Sequence, residues 1–249
     1  MKKKLKIIKS DLLSTQAGIS HGFSTKTGLE RGSPFYFNMS LSVGDAEENV
    51  IANRNAFFEA LGSDYKNAAT QYQVHGTGIS IVERPGYYGE NDAMITNKSN
   101  VILTVTSADC VPVLIYDPVI KVIAAVHSGW RGTAKRIVEQ VIIELKRSYG
   151  SSLQDILVYL GPSISQKNYE VGPEVAEQFE NKYLLPKGNK YLLDVPACNR
   201  DIILACGVKP ENLDVSPLCS YEDDSLHSYR RDGKTSGRAM GAIMLHGDQ

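Results

Sequence analysis

Several features are scarce in this 249-residue sequence, and each scarcity removes a class of protein. There are four cysteines, Cys110, Cys198, Cys206 and Cys219, with no C-x-x-C pair. A chain this long has no need of a disulfide framework, so reduced thiols in a cytoplasmic protein are expected. No apolar run approaches the roughly 18 residues of a membrane helix. The basic start, Met1 to Lys9, has no apolar stretch behind it, so a secretory signal is not expected. Charge of one sign is also missing. The formal net charge is -1, from 27 Lys and Arg against 28 Asp and Glu, with no global field to draw nucleic acid or anionic lipid. No repeat, low-complexity tract or Pro/Gly/Ser-rich linker divides the chain, so residues 1–249 are read as one domain with no obligate protein partner. Histidine is scarce too, at five, and no H-x-x-x-H spacing occurs.

Strand and helix signals alternate. Leu5–Ile8 is a short strand candidate. Asp45 is placed to cap a helix over about 46–61, where Val50, Ile51, Phe57, Phe58 and Leu61 recur at helical spacing before Gly62. Three β-branched runs follow, at 101–106, 113–116 and 122–126. An amphipathic helix over about 133–147 carries Ile137, Val138, Val141, Ile142 and Leu145 on one stripe and stops at Gly150. A buried strand at 156–160, helices over 173–179 and 197–205, and a final strand at 242–245 complete the reading. The fold class that fits is α/β (α+β), with mixed sheets flanked by helices.

The turn Asp117-Pro118-Val119-Ile120 separates two of the strands. Centred between Pro118 and Val119, it sets Cys110 opposite His127, with Cβ atoms about 5 Å apart. A metal with donor distances of about 2.0–2.3 Å spans that gap. A slip of one residue would put the two side chains on opposite faces. His75, before Gly76, lies near a turn between 68–72 and 79–82, and spacing alone does not bring it to the other two. Convergence of all three would make an N/S/N site with an open fourth position, the arrangement of a catalytic zinc. The bland alternative is a small core cysteine and two unrelated histidines.

Ser128-Gly129-Trp130-Arg131-Gly132-Thr133 joins a strand to a helix. Its glycines admit close backbone approach and Arg131 offers an oxyanion contact, although the P-loop spacing is absent. Arg54 falls on the apolar side of its helix, snorkelling to water or reaching into a cleft. Residues 228–238 are dense in cations and glycine, which suits either phosphate binding or a solvated loop. Glu170 is a weak acid/base candidate.

These motifs, in their order, resemble the YfiH/YlmD-like family, also called laccase-domain or polyphenol oxidase proteins. The resemblance runs through Phe37-Asn38-Met39-Ser40, Gly44-Asp45, Asn53-Arg54, Gln73-Val74-His75-Gly76, Asp92-Ala93-Met94-Ile95-Thr96 and Ala108-Asp109-Cys110-Val111-Pro112. It continues through His127-Ser128-Gly129-Trp130-Arg131-Gly132, Gly161-Pro162-Ser163-Ile164, Tyr169-Glu170-Val171-Gly172 and Tyr229-Arg230-Arg231-Asp232. Ser128 stands where alanine is common and Ser163 where cysteine is common. The resemblance implies a single YfiH-like domain of layered mixed sheets, with Zn2+ rather than copper held by His75, Cys110 and His127. It also implies phosphorolysis of adenosine, inosine, guanosine and 5′-methylthioadenosine, with deamination of adenosine. On that basis Arg54, Arg131 and Arg230 are the phosphate candidates. Asp109 is the acid/base candidate, and Cys110 and Arg131 belong to the catalytic set. Three rival readings stand beside it: a copper polyphenol oxidase, a cysteine hydrolase or amidase acting on peptidoglycan precursors with Cys110 as nucleophile, and a non-catalytic zinc or nucleotide-binding module.

Overall fold

A computed structural model describes residues 5–247. The first four residues of the basic start therefore lie outside the described residues. Two six-stranded mixed sheets face each other. The first runs in the order Ile7–Ile8, Ile19–Ser24, Ala239–Leu245, Ile102–Ser107, Ala68–Tyr72, Gly86–Glu90. The second runs Leu213–Val215, Leu157–Leu160, Val111–Asp117, Val122–Ser128, Ala93–Thr96, Ile79–Ile81. A small third sheet joins Glu170–Val171, Lys190–Leu193 and Leu184–Lys187.

Side-chain alternation explains the layering. In Val111–Asp117, Val113 and Ile115 enter one core and Leu114 and Tyr116 the other. In Val122–Ser128 the split is Val122, Ala124 and Val126 against Ile123 and Ala125. Leu114, Tyr116, Ile123 and Ala125 meet Leu103, Val105, Ile243 and Leu245 of the first sheet, so their core is the layer between the sheets. The opposite face of the second sheet is covered by helices Ile137–Tyr149 and Val195–Ala205. Helix Glu47–Ala60 covers the outer face of the first with Phe57 and Phe58. Burial on both faces is what makes the central strands read as continuous apolar runs.

Several elements differ from expectation. The strand Leu5–Ile8 shortens to Ile7–Ile8. Asp45 does not cap its helix; Ala46 holds that place, and the Asp45 carboxylate instead accepts the Ala46 N–H and an Asn38 amide. The expected 133–147 helix is two, Trp130–Ala134 and Ile137–Tyr149, parted by Arg136 in the left-handed region at φ 57°. The helix at 173–179 is a single turn, Pro173–Ala176, and the next begins two residues early, at Val195. The final strand begins earlier too, at Ala239. No helix among the described residues is long and apolar enough to cross a membrane.

Two buried histidines give the fold a pH dependence. His21 accepts the Ser10 N–H at 3.0 Å, and burial, with the Lys9 charge, pushes it down to about 4. Burial, with the Lys26 charge, pushes His227 down to about 3. Both rings are neutral in the folded protein, whereas the unfolded chain binds protons below about pH 6.5. Their contribution to stability is therefore whole above that pH and is lost as the pH falls. Between pH 7.5 and pH 5 each is expected to remove about 2 kcal/mol of unfolding free energy. Urea unfolding at the two pH values checks this; an equal or higher midpoint at pH 5 would contradict it.

Candidate metal centre and its cavity

Cys110 and His127 reach the same place by parity. Strands Val111–Asp117 and Val122–Ser128 pair with Pro112 opposite His127 and Asp117 opposite Val122. The expected register was two residues away. The turn is longer than expected because the Asp117 carboxylate accepts the N–H groups of Val119 and Ile120, holding a four-residue connection. A two-residue slip keeps every side chain on its face. Cys110 and His127 consequently lie diagonally on the side toward the inter-sheet layer. Extended by one step, the register sets Cys110 against Gly129. A Cβ at Gly129 would come within 2.9 Å of the Cys110 sulfur and 3.2 Å of the His75 ring, so glycine is required for this close approach.

His75 arrives by another route. Strands Ala68–Tyr72 and Ile79–Ile81, expected as neighbours around a turn, belong to different sheets. The segment between them crosses from one sheet to the other at the mouth of the inter-sheet layer. His75 sits there with φ 58°, and Asp109, directly before Cys110, has φ 90°. Both are left-handed non-glycine residues, the kind of strained backbone that persists where the surroundings enforce it. The His75 and His127 rings meet edge to face with centroids 4.8 Å apart.

The donor atoms of His75, Cys110 and His127 all lie within 4.8 Å of one another. A tetrahedral ion with donors at about 2.0–2.3 Å holds them roughly 3.5 Å apart, so a small side-chain adjustment closes the set. Three N/S/N donors, graded from exposed His75 to buried His127, suit a borderline-soft ion with a position left open toward solvent.

Asp92 organises this centre, and sequence reasoning assigned it no role. It is fully buried. Its carboxylate accepts the N–H groups of His75 at 3.0 Å and Gly76 at 2.6 Å, with a longer one from Val74, and meets His127 Nδ1 at 2.8 Å. Burial alone would raise its carboxyl, but the bonds from His127 and Gly76 outweigh that and hold it below the usual value. One side chain thus fixes the backbone under His75 and turns the His127 Nε2 toward the centre. Burial opposes charge on both members of the Cys110–His127 pair. Their mutual attraction, with Asp92 behind His127, outweighs it, lowering the thiol and raising the imidazole.

The centre lines a cavity of about 720 Å³ that is also lined by Arg54, Arg131, Arg230 and Arg238. Arg131 is exposed and stacks on Trp130 at 4.3 Å. Arg230 lies over Tyr169 and donates to the Glu170 carbonyl. Arg238 lies over Tyr229 and donates to the carbonyls of Ser236 and Gly237. Arg54 is buried; it donates twice to the Met39 carbonyl and once to the Tyr65 hydroxyl. It reaches the cleft and does not snorkel to water. None of the four is ion-paired to a carboxylate among the described residues, whereas neighbouring Arg231 is engaged by Asp232 and by carbonyls of Ser220, Tyr221 and Leu226. Asp109 accepts the Ser220 hydroxyl at 2.7 Å and the Arg230 backbone N–H at 2.6 Å. It ties the Cys110 turn to the cation-rich 228–238 segment. Glu170 points elsewhere, paired with Lys187 and Lys190, so it is no acid/base group of this cavity.

Arg238 and Gln71 are further cavity residues that the sequence did not single out. Arg238 was visible only as one cation among several in a glycine-rich run, and Gln71 carried no signal. Of the histidines outside the centre, His21 and His227 are buried apart from it and His246 bonds the Ser20 hydroxyl.

A family model described as multi-copper polyphenol oxidoreductase laccase matches residues 20–246. A purine nucleoside phosphorylase of Bacteroides thetaiotaomicron is 33% identical over 254 residues, covering 94% of both chains. An adenosine deaminase from an unidentified prokaryote is 31% identical, over 96% of this chain and 98% of its own. The crystal structure of the Bacillus licheniformis protein YfiH superposes with a TM-score of 0.88 at 32% identity, covering 91% of this chain and 92% of that one. With that sequence match across nearly its whole length and that superposition, the chain belongs to the laccase-type family of YfiH-like proteins.

Proposed function

We propose that this chain is a zinc-dependent purine nucleoside phosphorylase that also deaminates adenosine. It would act as one catalytic domain in the cytoplasm on small-molecule nucleosides and phosphate. The observation that carries the reading is a three-donor centre opening into a cavity with four arginines free of carboxylate partners. Relatives named for both activities support it.

His75, Cys110 and His127 would hold the metal, which when bound supplies Lewis-acid polarisation beside the substrate. The rest follows from the chain's own side chains. In phosphorolysis a phosphate oxygen forms a bond to C1′ of the ribose as the bond from C1′ to the purine breaks. The purine leaves with a proton. Catalysis is then positioning of the anion and stabilisation of charge. Arg131, Arg230 and Arg238 suit the phosphate, since each keeps donors for an anion while an aromatic ring orients its plane. Arg54 is a weaker phosphate contact, because much of its guanidinium is engaged with Met39 and Tyr65. We read Asp109 as a positioning residue for Arg230, since both its oxygens already accept hydrogen bonds.

Phosphate-dependent release of free base from adenosine or inosine tests the reading. Within that assay Arg131→Ala and Arg230→Ala are each expected to raise the phosphate KM about 10- to 100-fold, the worth of one charge-assisted contact. Arg54→Ala is expected to have a smaller effect. Unchanged phosphate KM values would remove the phosphate assignment.

A second reading has a specific observation behind it. Cys110, His127 and Asp92 stand in line, as in an activated-thiol hydrolase with Cys110 as nucleophile. A copper polyphenol oxidase fits less well. Among the described residues one group of His, Cys, Asp or Glu has metal-binding geometry, and a multicopper cluster needs many more histidines.

A further inference from the structure

Gln71 is the one glutamine in the described residues whose amide oxygen and nitrogen are both closed off from solvent with no hydrogen-bond partner. It belongs to the cavity wall, and the residue as a whole is partly exposed there. Its neighbour Gln73 shows the contrast: that amide is engaged with the Thr106 backbone and hydroxyl. A buried carboxamide with both ends unpaired keeps its desolvation penalty, and such an orphan in a native fold calls for a reason.

The local backbone is irregular at the same place. Thr70 pairs with Tyr87 and Tyr72 with Glu90, so the partner strand takes three steps to this strand's two, a β-bulge opposite Gln71. Bulges re-aim side chains and gather beside active sites. Tyr87, 68% exposed, and Tyr72, 53% exposed, flank Gln71 in the cavity wall and offer flat faces to a planar ligand. The arginines enter mainly from other segments, 131 and 230–238.

We infer that Gln71 is a base-binding residue that reads the 6-position edge of the purine base. This rests on the nucleoside reading above. A carboxamide is both donor and acceptor, and adenine presents an amino donor beside a ring-nitrogen acceptor. Hypoxanthine presents the reverse pair, an O6 acceptor beside an N1–H donor. Turning the amide end for end matches either base, so one residue serves 6-amino and 6-oxo purines alike. A rotation about its own torsions brings the amide to the cavity when a base arrives.

Two variants test this in a phosphate-dependent base-release assay at pH 8, with adenosine and inosine as separate substrates. Gln71→Glu keeps an acceptor for the adenine amino group or the hypoxanthine N1–H, and sets its second oxygen against adenine N1 or hypoxanthine O6. It is expected to lower kcat/KM for both nucleosides by about tenfold or more. Gln71→Met keeps the length without hydrogen bonds. It is expected to raise KM about tenfold for both nucleosides with little change in kcat. It is also expected to raise Tm by about 2 °C or more, because the orphaned amide is gone. A merely structural glutamine would lower Tm on this substitution and leave both KM values alone, and that result would overturn the inference. So would unchanged kcat/KM values for both nucleosides in Gln71→Glu with an active wild type. A wild type that releases no base from either nucleoside would instead remove the nucleoside reading, and this inference with it.

Discussion

Replacing Asp92 with alanine is expected to damage the protein more than any change at the cavity surface. The substitution removes a fully buried carboxylate, leaving the part-buried backbone N–H groups of His75 and Gly76 without their acceptor, and releases the buried His127 ring. Losing one partner of such a network costs about 3–5 kcal/mol, because the remaining groups keep their desolvation penalty. For a chain of this size that is a fall in Tm of roughly 10 °C. The outer partner of a metal-bound histidine is also worth about 10- to 100-fold in metal affinity. Asp92→Asn keeps the shape but turns an amide N–H toward one of these donors, so an intermediate loss is expected. Differential scanning calorimetry with a competitive chelator titration measures both effects. A Tm within 2 °C of wild type and an unchanged metal affinity would show that Asp92 does not organise the centre.

Cys110→Ala and His127→Ala are expected to give the largest losses of activity. Each removes one of three donors from a set that the fold places within 4.8 Å. Two remaining protein ligands hold zinc poorly, and metal content by elemental analysis should fall from near one per chain to a small fraction. Turnover should fall by about 10³-fold or more, the usual scale for loss of an electrostatic centre. The Cys110→Ala fold should survive, since Cys110 lies in a turn at the edge of the inter-sheet core and alanine fits in its place; His127→Ala also costs stability, because it takes a partner from buried Asp92. Full metal content in either variant would show that the ion is bound elsewhere.

The legibility of this centre in the sequence was uneven, for physical reasons. Strand parity depends only on alternation, so Cys110 and His127 could be set on one face from sequence, and that survived an error of two residues in the turn. The error arose because Asp-Pro marks a turn without stating its length. The Asp117 side chain set the length, by accepting two N–H groups beyond the proline. His75 and Asp92 were harder. Their meeting depends on a crossover between two sheets, and pairing across sheets leaves no periodic trace. The break at Arg136 was invisible for a different reason. No glycine or proline marks it, and the left-handed residue is an arginine beside Glu139. Asp45 shows the limit of capping rules: a correct residue type stood one position too early, and Asn38 took its carboxylate. A mixed sheet followed from strands interleaved with helices, whereas its layering was implied only by the family resemblance; the structure gives the reason, since the apolar central strands are covered on both faces.

The proposed role of His75, Cys110 and His127 is to hold a catalytic metal beside a nucleoside and phosphate cavity. The most direct test strips the protein with a chelator, then returns zinc stepwise, while adenine release from adenosine is followed by chromatography with and without phosphate. Phosphate-dependent adenine release is expected to rise with zinc and saturate near one equivalent per chain, with Cys110 protected from alkylation. Full activity in metal-free protein, abolished when Cys110 is alkylated, would contradict it and make Cys110 the nucleophile instead.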